Sequence, residues 1–461
     1  VPVRHALAGL LLAALATGAA GDARAADPGS AGSNFEPEVL SAEAALPQGS
    51  RLGALTLEQP RQILTMERLG EQQNYLVALG NMAFSAANLM GGVARQAGIS
   101  CATCHSSGEI NRAFFIPGLS AHPGSADVTH RLFNHRAADG IANPLDIPSL
   151  RGLAATAPYG RDGRFASLRE FTRNVIVGEF EGAEPSPLVL DALVAYQLQF
   201  EFLENDRLGP AGRLTEGADA AARRGEQLFR TPHPGMDGMS CASCHLPSAH
   251  FTDNRIHDVG TGGSFVTPTL RNANSTPPYF HDGRAADYAA VVAHFDTTFG
   301  LGLGDGEAAD LVAYLEAVGH GEEPFERQDF AFDLREALIF AGTLETSIAD
   351  QDVAVVDLTV DTVSRELREI RERWPAAADR PIRAILADWT LGMRRIALAA
   401  GRGDWAAAAE QLAAWQAAVE AERPLVAAAE PRSLYAPERH ARHLAALAGL
   451  AAMAEGEPPS R

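Results

Sequence analysis

Apolar positions along this chain fall into runs of helical spacing, separated by stretches with no period at all. Over residues 67–94, Ala, Leu and Met recur at helical intervals until Gly98 supplies a stop, which predicts a helix. Residues 106–158 are dense in Gly, Pro, Asn and Asp and are expected to be irregular chain. Helical spacing returns over 168–177, 187–202 and 307–318. Beyond Glu322 the character changes. Residues 333–454 form Ala-rich, heptad-like runs such as 363–374 and 406–421, divided by Pro375, Pro424 and Pro437, and predict a separate helical bundle. All four tryptophans (Trp374, Trp389, Trp405 and Trp415) lie in that last segment, where core packing is the first expectation.

An internal repeat organises the middle of the chain. Ile147-Pro-Ser-Leu-Arg151 and Ala157-Pro-Tyr159-Gly-Arg-Asp162-Gly163-Arg164 recur as Thr267-Pro-Thr-Leu-Arg271 and Pro277-Pro-Tyr279-Phe-His-Asp282-Gly283-Arg284, at a constant offset of 120 residues. Two cysteine pairs precede these blocks at an offset of 140, so two homologous units with loops of unequal length account for both numbers. The second unit opens with Arg224-Gly-Glu-Gln-Leu-Phe229.

The cysteine pairs carry the chemistry. Cys101-Ala-Thr-Cys104-His105 and Cys241-Ala-Ser-Cys244-His245 both read C-x-x-C-H, the attachment site of a c-type haem. Two thiols take up the porphyrin vinyl groups, and the next residue, His105 or His245, becomes the proximal iron ligand. A thioredoxin-like pair or a zinc site also uses C-x-x-C, but neither explains a His after both pairs, and the chain has no fifth cysteine. Two covalently attached haems are therefore expected. The architecture that follows is mainly α: two cytochrome c-like haem domains (26–205 and 206–322) and a C-terminal helical bundle (323–461). Arg151 and Arg271, at matching repeat positions, are candidate partners for haem propionates, because a guanidinium fork suits a carboxylate.

Charge and the N-terminus narrow the setting. The formal net charge is -20, all 38 basic residues are Arg, and such an acidic surface disfavours nucleic acid while steering a basic redox partner. Arg4 and His5 precede an apolar run to Ala20, and Ala23-Arg24-Ala25 offers small residues for a signal peptidase. Residues 1–25 are thus expected to be a signal peptide and the mature chain periplasmic. No segment is long and apolar enough for a stable membrane span.

With R-G-x-x-L-F before the second cysteine pair and P-Y-F-H-D-G after it, the sequence over roughly residues 98–319 resembles the bacterial dihaem cytochrome c peroxidase superfamily, MauG-like enzymes included. The resemblance implies an oxidoreductase in which the first haem reacts with hydrogen peroxide and the second stores or relays an electron. The donor would be a small cytochrome c or cupredoxin, or the substrate a partner protein, and relatives are often homodimers.

Carried over residue by residue, the resemblance puts the peroxide-cleaving acid at Glu181, with Glu179 as the neighbouring alternative, and finds Phe171 where a Gln usually accompanies it. It also implies a calcium ion between the domains, held by Asp146 in an Asn slot and by the carbonyls of Thr276 and Pro278. The slot of an inter-haem Trp holds Arg161. Phe295, which cannot ligate iron, fills the slot of the second haem's sixth ligand; His294 is adjacent, and His250, His257 and Met239 are other local donors. His122 sits near the place of a removable sixth ligand to the first haem.

Overall fold

The computed structural model describes residues 45–53, 56–61, 71–136 and 138–454. The expected signal peptide and the start of the helix expected from residue 67 lie outside the described residues. The fold is mainly helical, with a few short strands.

Strand β1 (Glu58–Pro60) is followed by α1 (Glu71–Phe84), and the helix expected as far as residue 94 breaks here. A single 3-10 turn at Ala87–Leu89 and α2 (Gly92–Gln96) complete the stretch. The chain leaves the helical ladder at Ala86, which is extended (φ -83°, ψ 99°), and before α2 the Gly91 N–H donates to the Phe180 carbonyl at 2.8 Å. Next comes α3 (Cys101–Cys104), one turn long. The Gly- and Pro-rich segment beyond it is irregular as expected, pinned by two antiparallel pairs, β2 (His105–Ser106) with β3 (Glu109–Ile110) and β4 (Ser125–Ala126) with β5 (Leu145–Asp146). Helix α4 (Leu168–Asn174) runs on into a π-helical turn, Val175–Glu179, and α5 (Pro187–Gln197) starts with Pro at its first turn behind the Ser186 cap.

The second repeat is built alike: α6 (Ala220–Arg230), α7 (Cys241–Cys244), an antiparallel hairpin of β6 (Ile256–Asp258) and β7 (Ser264–Val266), then α8 (Tyr288–Phe299) and α9 (Asp305–Val318). Each repeat hangs on one close helix crossing. In α1, Gly80 lies against the Ala192 carbonyl and the Tyr196 Cβ of α5; in α6, Gly225 lies against the Asp310 carbonyl and the Tyr314 Cβ of α9. A residue without a Cβ is what lets two helix backbones approach so closely.

After β8 (Phe325–Arg327), which pairs antiparallel with β1, come five helices: α10 (Phe330–Ala349), α11 (Val353–Glu372), α12 (Arg380–Gly401), α13 (Trp405–Ala428) and α14 (Pro437–Ala454). Asp329, Asp352 and Asp404 cap α10, α11 and α13 by accepting from the third backbone N–H of each, at 2.8, 3.0 and 3.1 Å. Pro424, expected to divide two helices, instead lies inside α13, on an exposed face. Trp374, Trp389 and Trp415 are buried, and each indole N–H finds an acceptor: the carbonyl of Ala429, Glu422 and the carbonyl of Trp389. The expectation of a separate bundle needs correcting, because the core of α10–α13 continues without a break into Leu79, Met82 and Phe84 of α1 and Leu193 and Tyr196 of α5.

Acidic side chains gather where α10 faces α11. Burial pushes Glu336 up to about 7, with Asp333 adding to the rise, and pushes Glu366 well above the ordinary carboxyl range despite Arg365 beside it. A carboxyl whose pKa is higher folded than unfolded binds more protons in the folded state, so its contribution falls as pH rises from about 4.5 through about 7. Thermal denaturation is thus expected to show the bundle losing stability between pH 5 and pH 8, and Glu336→Gln is expected to flatten that loss; an unchanged slope in the variant would count against the assignment.

Candidate haem centres

Both cysteine turns are built by the same local device. The Ser100 N–H donates to Thr103 Oγ1 at 2.9 Å and the Ser240 N–H to Ser243 Oγ at 3.0 Å, closing a single helical turn. That turn sets the two thiols at i and i+3 on one face. All four cysteines are free, and burial raises Cys101 and Cys104 to about 12 and Cys241 to about 11, so the thiols are neutral.

The histidines that follow are half-buried, and desolvation pushes His105 down to about 4 and His245 below its ordinary value. His245 Nδ1–H donates to the Phe251 carbonyl at 3.1 Å, which leaves the lone pair on Nε2. Phe229 of α6 backs that ring at 6.4 Å and packs on Tyr314 at 4.9 Å. His105 Nδ1 is buried with no hydrogen bond of ordinary geometry, although the Pro148 carbonyl lies close enough to favour its protonated form. Pro268, the repeat counterpart of Pro148, acts on His245 in the same way. Sequence reading named no partner for either ring nitrogen; the recurrence of Pro148 and Pro268 was the available signal.

Glu179 and Glu181 leave the π-helical turn on either side of Phe180. That ring is buried against Phe133 at 4.7 Å, in the cluster of Ile99, Phe114 and Leu119 on which Cys101 and Cys104 also pack. Glu179 is committed: it accepts from Arg164 Nη2 at 2.9 Å and Asn174 Nδ2 at 3.2 Å, while burial raises its pKa. Glu181, in a left-handed conformation (φ 50°), accepts from the His135 N–H at 3.1 Å and keeps 27% of its side chain exposed. His135 was missed by sequence reasoning, since a contact spanning 46 residues leaves no local trace. Phe171 stacks on Tyr159 at 6.4 Å and meets the tilted Phe165 ring at 5.7 Å.

Other expected site residues are dispersed. His122 donates through Nδ1–H to the Pro123 carbonyl at 2.9 Å, and its Nε2 is buried against Gly283 of the second repeat. His294 donates through Nε2–H to the Val259 carbonyl at 2.8 Å, and Phe295 stacks on Phe299 at 6.0 Å. His257 is paired with Asp253 at 2.8 Å, His250 stacks on Phe202 at 5.3 Å, and Met239 is exposed. Arg151 spends its fork on buried Glu323, with Nε at 3.0 Å from Oε2. Arg271 lies over the Phe202 ring at 4.9 Å with its Nε buried and unpartnered, which keeps a donor open for a propionate. Asp146 is buried and lies 3.6 Å from the Arg161 guanidinium. Thr276 turns its hydroxyl to the Ala273 carbonyl, and Pro278 follows a cis peptide bond, as does Pro158 in the first repeat.

Residues 219–326, which hold α6, the second cysteine pair and the Asp282-Gly283 turn, match the family model described as di-haem cytochrome c peroxidase. This stretch belongs to that family. Among relatives of the di-haem cytochrome c peroxidase stretch and its surroundings, methylamine utilization protein MauG of Methylorubrum extorquens is 27% identical over 301 residues, 52% of this chain and 77% of its own. MauG of Methylophilus methylotrophus is 22% identical over 50% of this chain and 79% of its own. Hydrazine synthase subunit gamma of Kuenenia stuttgartiensis is 28% identical over 193 residues, 30% of this chain, which spans about half (51%) of that relative. Two solved structures are also similar: the xenon-pressurized Kuenenia stuttgartiensis hydrazine synthase (TM-score 0.39, 22% identity, 59% of this chain and 97% of that one) and a MauG-like protein associated with microbial copper homeostasis (0.36, 19%, 56% and 92%).

The residues fit the haems that the di-haem cytochrome c peroxidase family implies. Each turn offers two unoxidised thiols on one face and a half-buried imidazole, and in the second the Phe251 carbonyl already fixes the tautomer that presents Nε2. They do not fit calcium. Asp146 already faces the Arg161 guanidinium at 3.6 Å, and Arg112 donates to the Ser275 and Pro277 carbonyls on either side of Thr276.

Proposed function

We propose that this chain is an exported, periplasmic di-haem oxidoreductase that reduces hydrogen peroxide at the centre held by Cys101, Cys104 and His105, with the centre at Cys241, Cys244 and His245 relaying electrons. The observation that carries the reading is the anchoring of Glu181: Phe180 is buried in the cluster on which Cys101 and Cys104 pack. When bound, haem iron supplies the redox equivalents and the site at which peroxide would react. Two electrons and two protons convert one hydrogen peroxide to two waters, and the chain's task is to deliver them. Glu181 is suited to carry the proton between the two peroxide oxygens, because the His135 N–H orients its carboxylate and its partial exposure lets it exchange protons with solvent. Glu179, tied to Arg164 and Asn174, holds the turn in place.

At the second centre, neither Phe295 nor the carbonyl-bound Nε2 of His294 offers a ligand as it stands. The net charge of -20 favours a basic donor, a small cytochrome c or cupredoxin. The test is peroxide consumption by the di-haem protein supplied with such a reduced donor, where two donor molecules are expected to be oxidised per peroxide.

A second reading has its own support in the identity with two MauG proteins: oxidation of a residue on a partner protein. It predicts peroxide consumption without a small donor but with a covalently altered partner, and that result would displace the first reading.

A further inference from the structure

The two repeats meet along a seam with local twofold character. The Asp146 N–H donates to the His281 carbonyl at 2.8 Å, and the Val266 N–H donates to the Arg161 carbonyl at 2.9 Å. Asp146 and Val266 are equivalent repeat positions 120 residues apart, as are Arg161 and His281. The turn glycines pack reciprocally: Gly163 lies against Val266 and Ile256 of the second repeat, and Gly283 against His122 of the first.

The symmetry stops at charge. Asp146 is a carboxylate where its counterpart is Val266, and it is only 6% exposed. Burial pushes it up to about 6, and Arg161, His122 and Arg112 all act in the opposite direction, favouring the ionised form. Arg161 Nη2 donates to the Asp146 carbonyl at 2.5 Å and lies 3.6 Å from its Oδ2. Arg112, from the loop after the first cysteine pair, reaches across the seam to the carbonyls of Ser275 and Pro277.

We propose that the seam is closed by two resident guanidinium cations, Arg161 on Asp146 and Arg112 on the Ser275 and Pro277 carbonyls, and that these arginines stand in for the inter-domain calcium that the resemblance implies. A calcium ion takes six to eight oxygen ligands. Here it would meet a single carboxylate and two fixed positive charges at close range, so repulsion outweighs what the remaining carbonyls provide. The guanidinium forks instead tie down neighbouring backbone oxygens, the Asp146 carbonyl and the Ser275 and Pro277 carbonyls, with directed N–H donors, and no ion has to be captured from solution. This inference is independent of which substrate the haems act on.

Metal analysis of the purified holoprotein, together with its thermal unfolding in chelator and in excess calcium, tests the first half. The expected result is no stoichiometric calcium and the same unfolding midpoint in both solutions; a bound calcium per chain, or a midpoint that drops in chelator, overturns the proposal. The second half is tested by a double-mutant cycle of Arg161→Met and Asp146→Asn. Each single change is expected to lower the midpoint, and the double to lower it no further than the worse single; additive losses would overturn the pairing. If the Arg161 variant fails to fold, Arg112→Met is expected to lower the midpoint and leave it insensitive to calcium, and a midpoint equal to wild type overturns the role of Arg112.

Discussion

Gly225→Val is expected to unfold the second repeat and strip it of its haem. The Cβ of any larger residue would fall on the Asp310 carbonyl and the Tyr314 Cβ, so relief requires α6 and α9 to separate. Overpacking a core costs about 1–3 kcal/mol when side chains can yield. The obstacle here is backbone, which places the loss at or above the upper end of that range. One turn along, Phe229 packs on Tyr314 and backs His245, so parted helices also release the imidazole that presents Nε2. Near-ultraviolet circular dichroism and haem content should fall together, and Gly80→Val should do the same to the first repeat at Ala192 and Tyr196. A Gly225→Val protein with wild-type melting and full haem content would show that the crossing does not hold the repeat.

Glu181→Gln is expected to lower peroxide turnover by about 10²- to 10⁴-fold, the range that general acid-base groups contribute, with little change in stability. An amide oxygen can still accept from the His135 N–H, so the loop stays where it is, but the side chain no longer carries a transferable proton. Glu179→Gln is expected to do the reverse. It weakens the hydrogen bonds with Arg164 and Asn174, lowers the melting temperature and reduces turnover less. Steady-state peroxide consumption and thermal melts on both variants separate the roles; full activity in the Glu181 variant alongside a dead Glu179 variant would exchange them.

Much of this was legible in the sequence because it is local. A C-x-x-C-H turn is five consecutive residues, and its Ser caps at Ser100 and Ser240 sit one position upstream. The repeat was visible from Ile147 and Thr267 onward because its Pro, Tyr and Asp-Gly positions each hold a turn. Its N-terminal half went unread: Gly80 and Phe84 match Gly225 and Phe229, but the three residues between them are Asn-Met-Ala in one helix and Glu-Gln-Leu in the other. What periodicity withholds is the partner of a face. The heptads of α10–α13 announce apolar stripes without saying that α1 and α5 complete the core. The partner of Gly91 is Phe180, nearly ninety residues on, and Arg161, which reads as a missing Trp in the sequence, lies beside Asp146.

Both proposed centres require two porphyrins bonded to one polypeptide. Intact-mass spectrometry of the purified holoprotein, after denaturation to release anything not covalently held, tests this most directly. The prediction is a mass increased by two haems, falling to one in a Cys241→Ala, Cys244→Ala variant and to the other one in a Cys101→Ala, Cys104→Ala variant. A wild-type mass carrying one haem or none would contradict it.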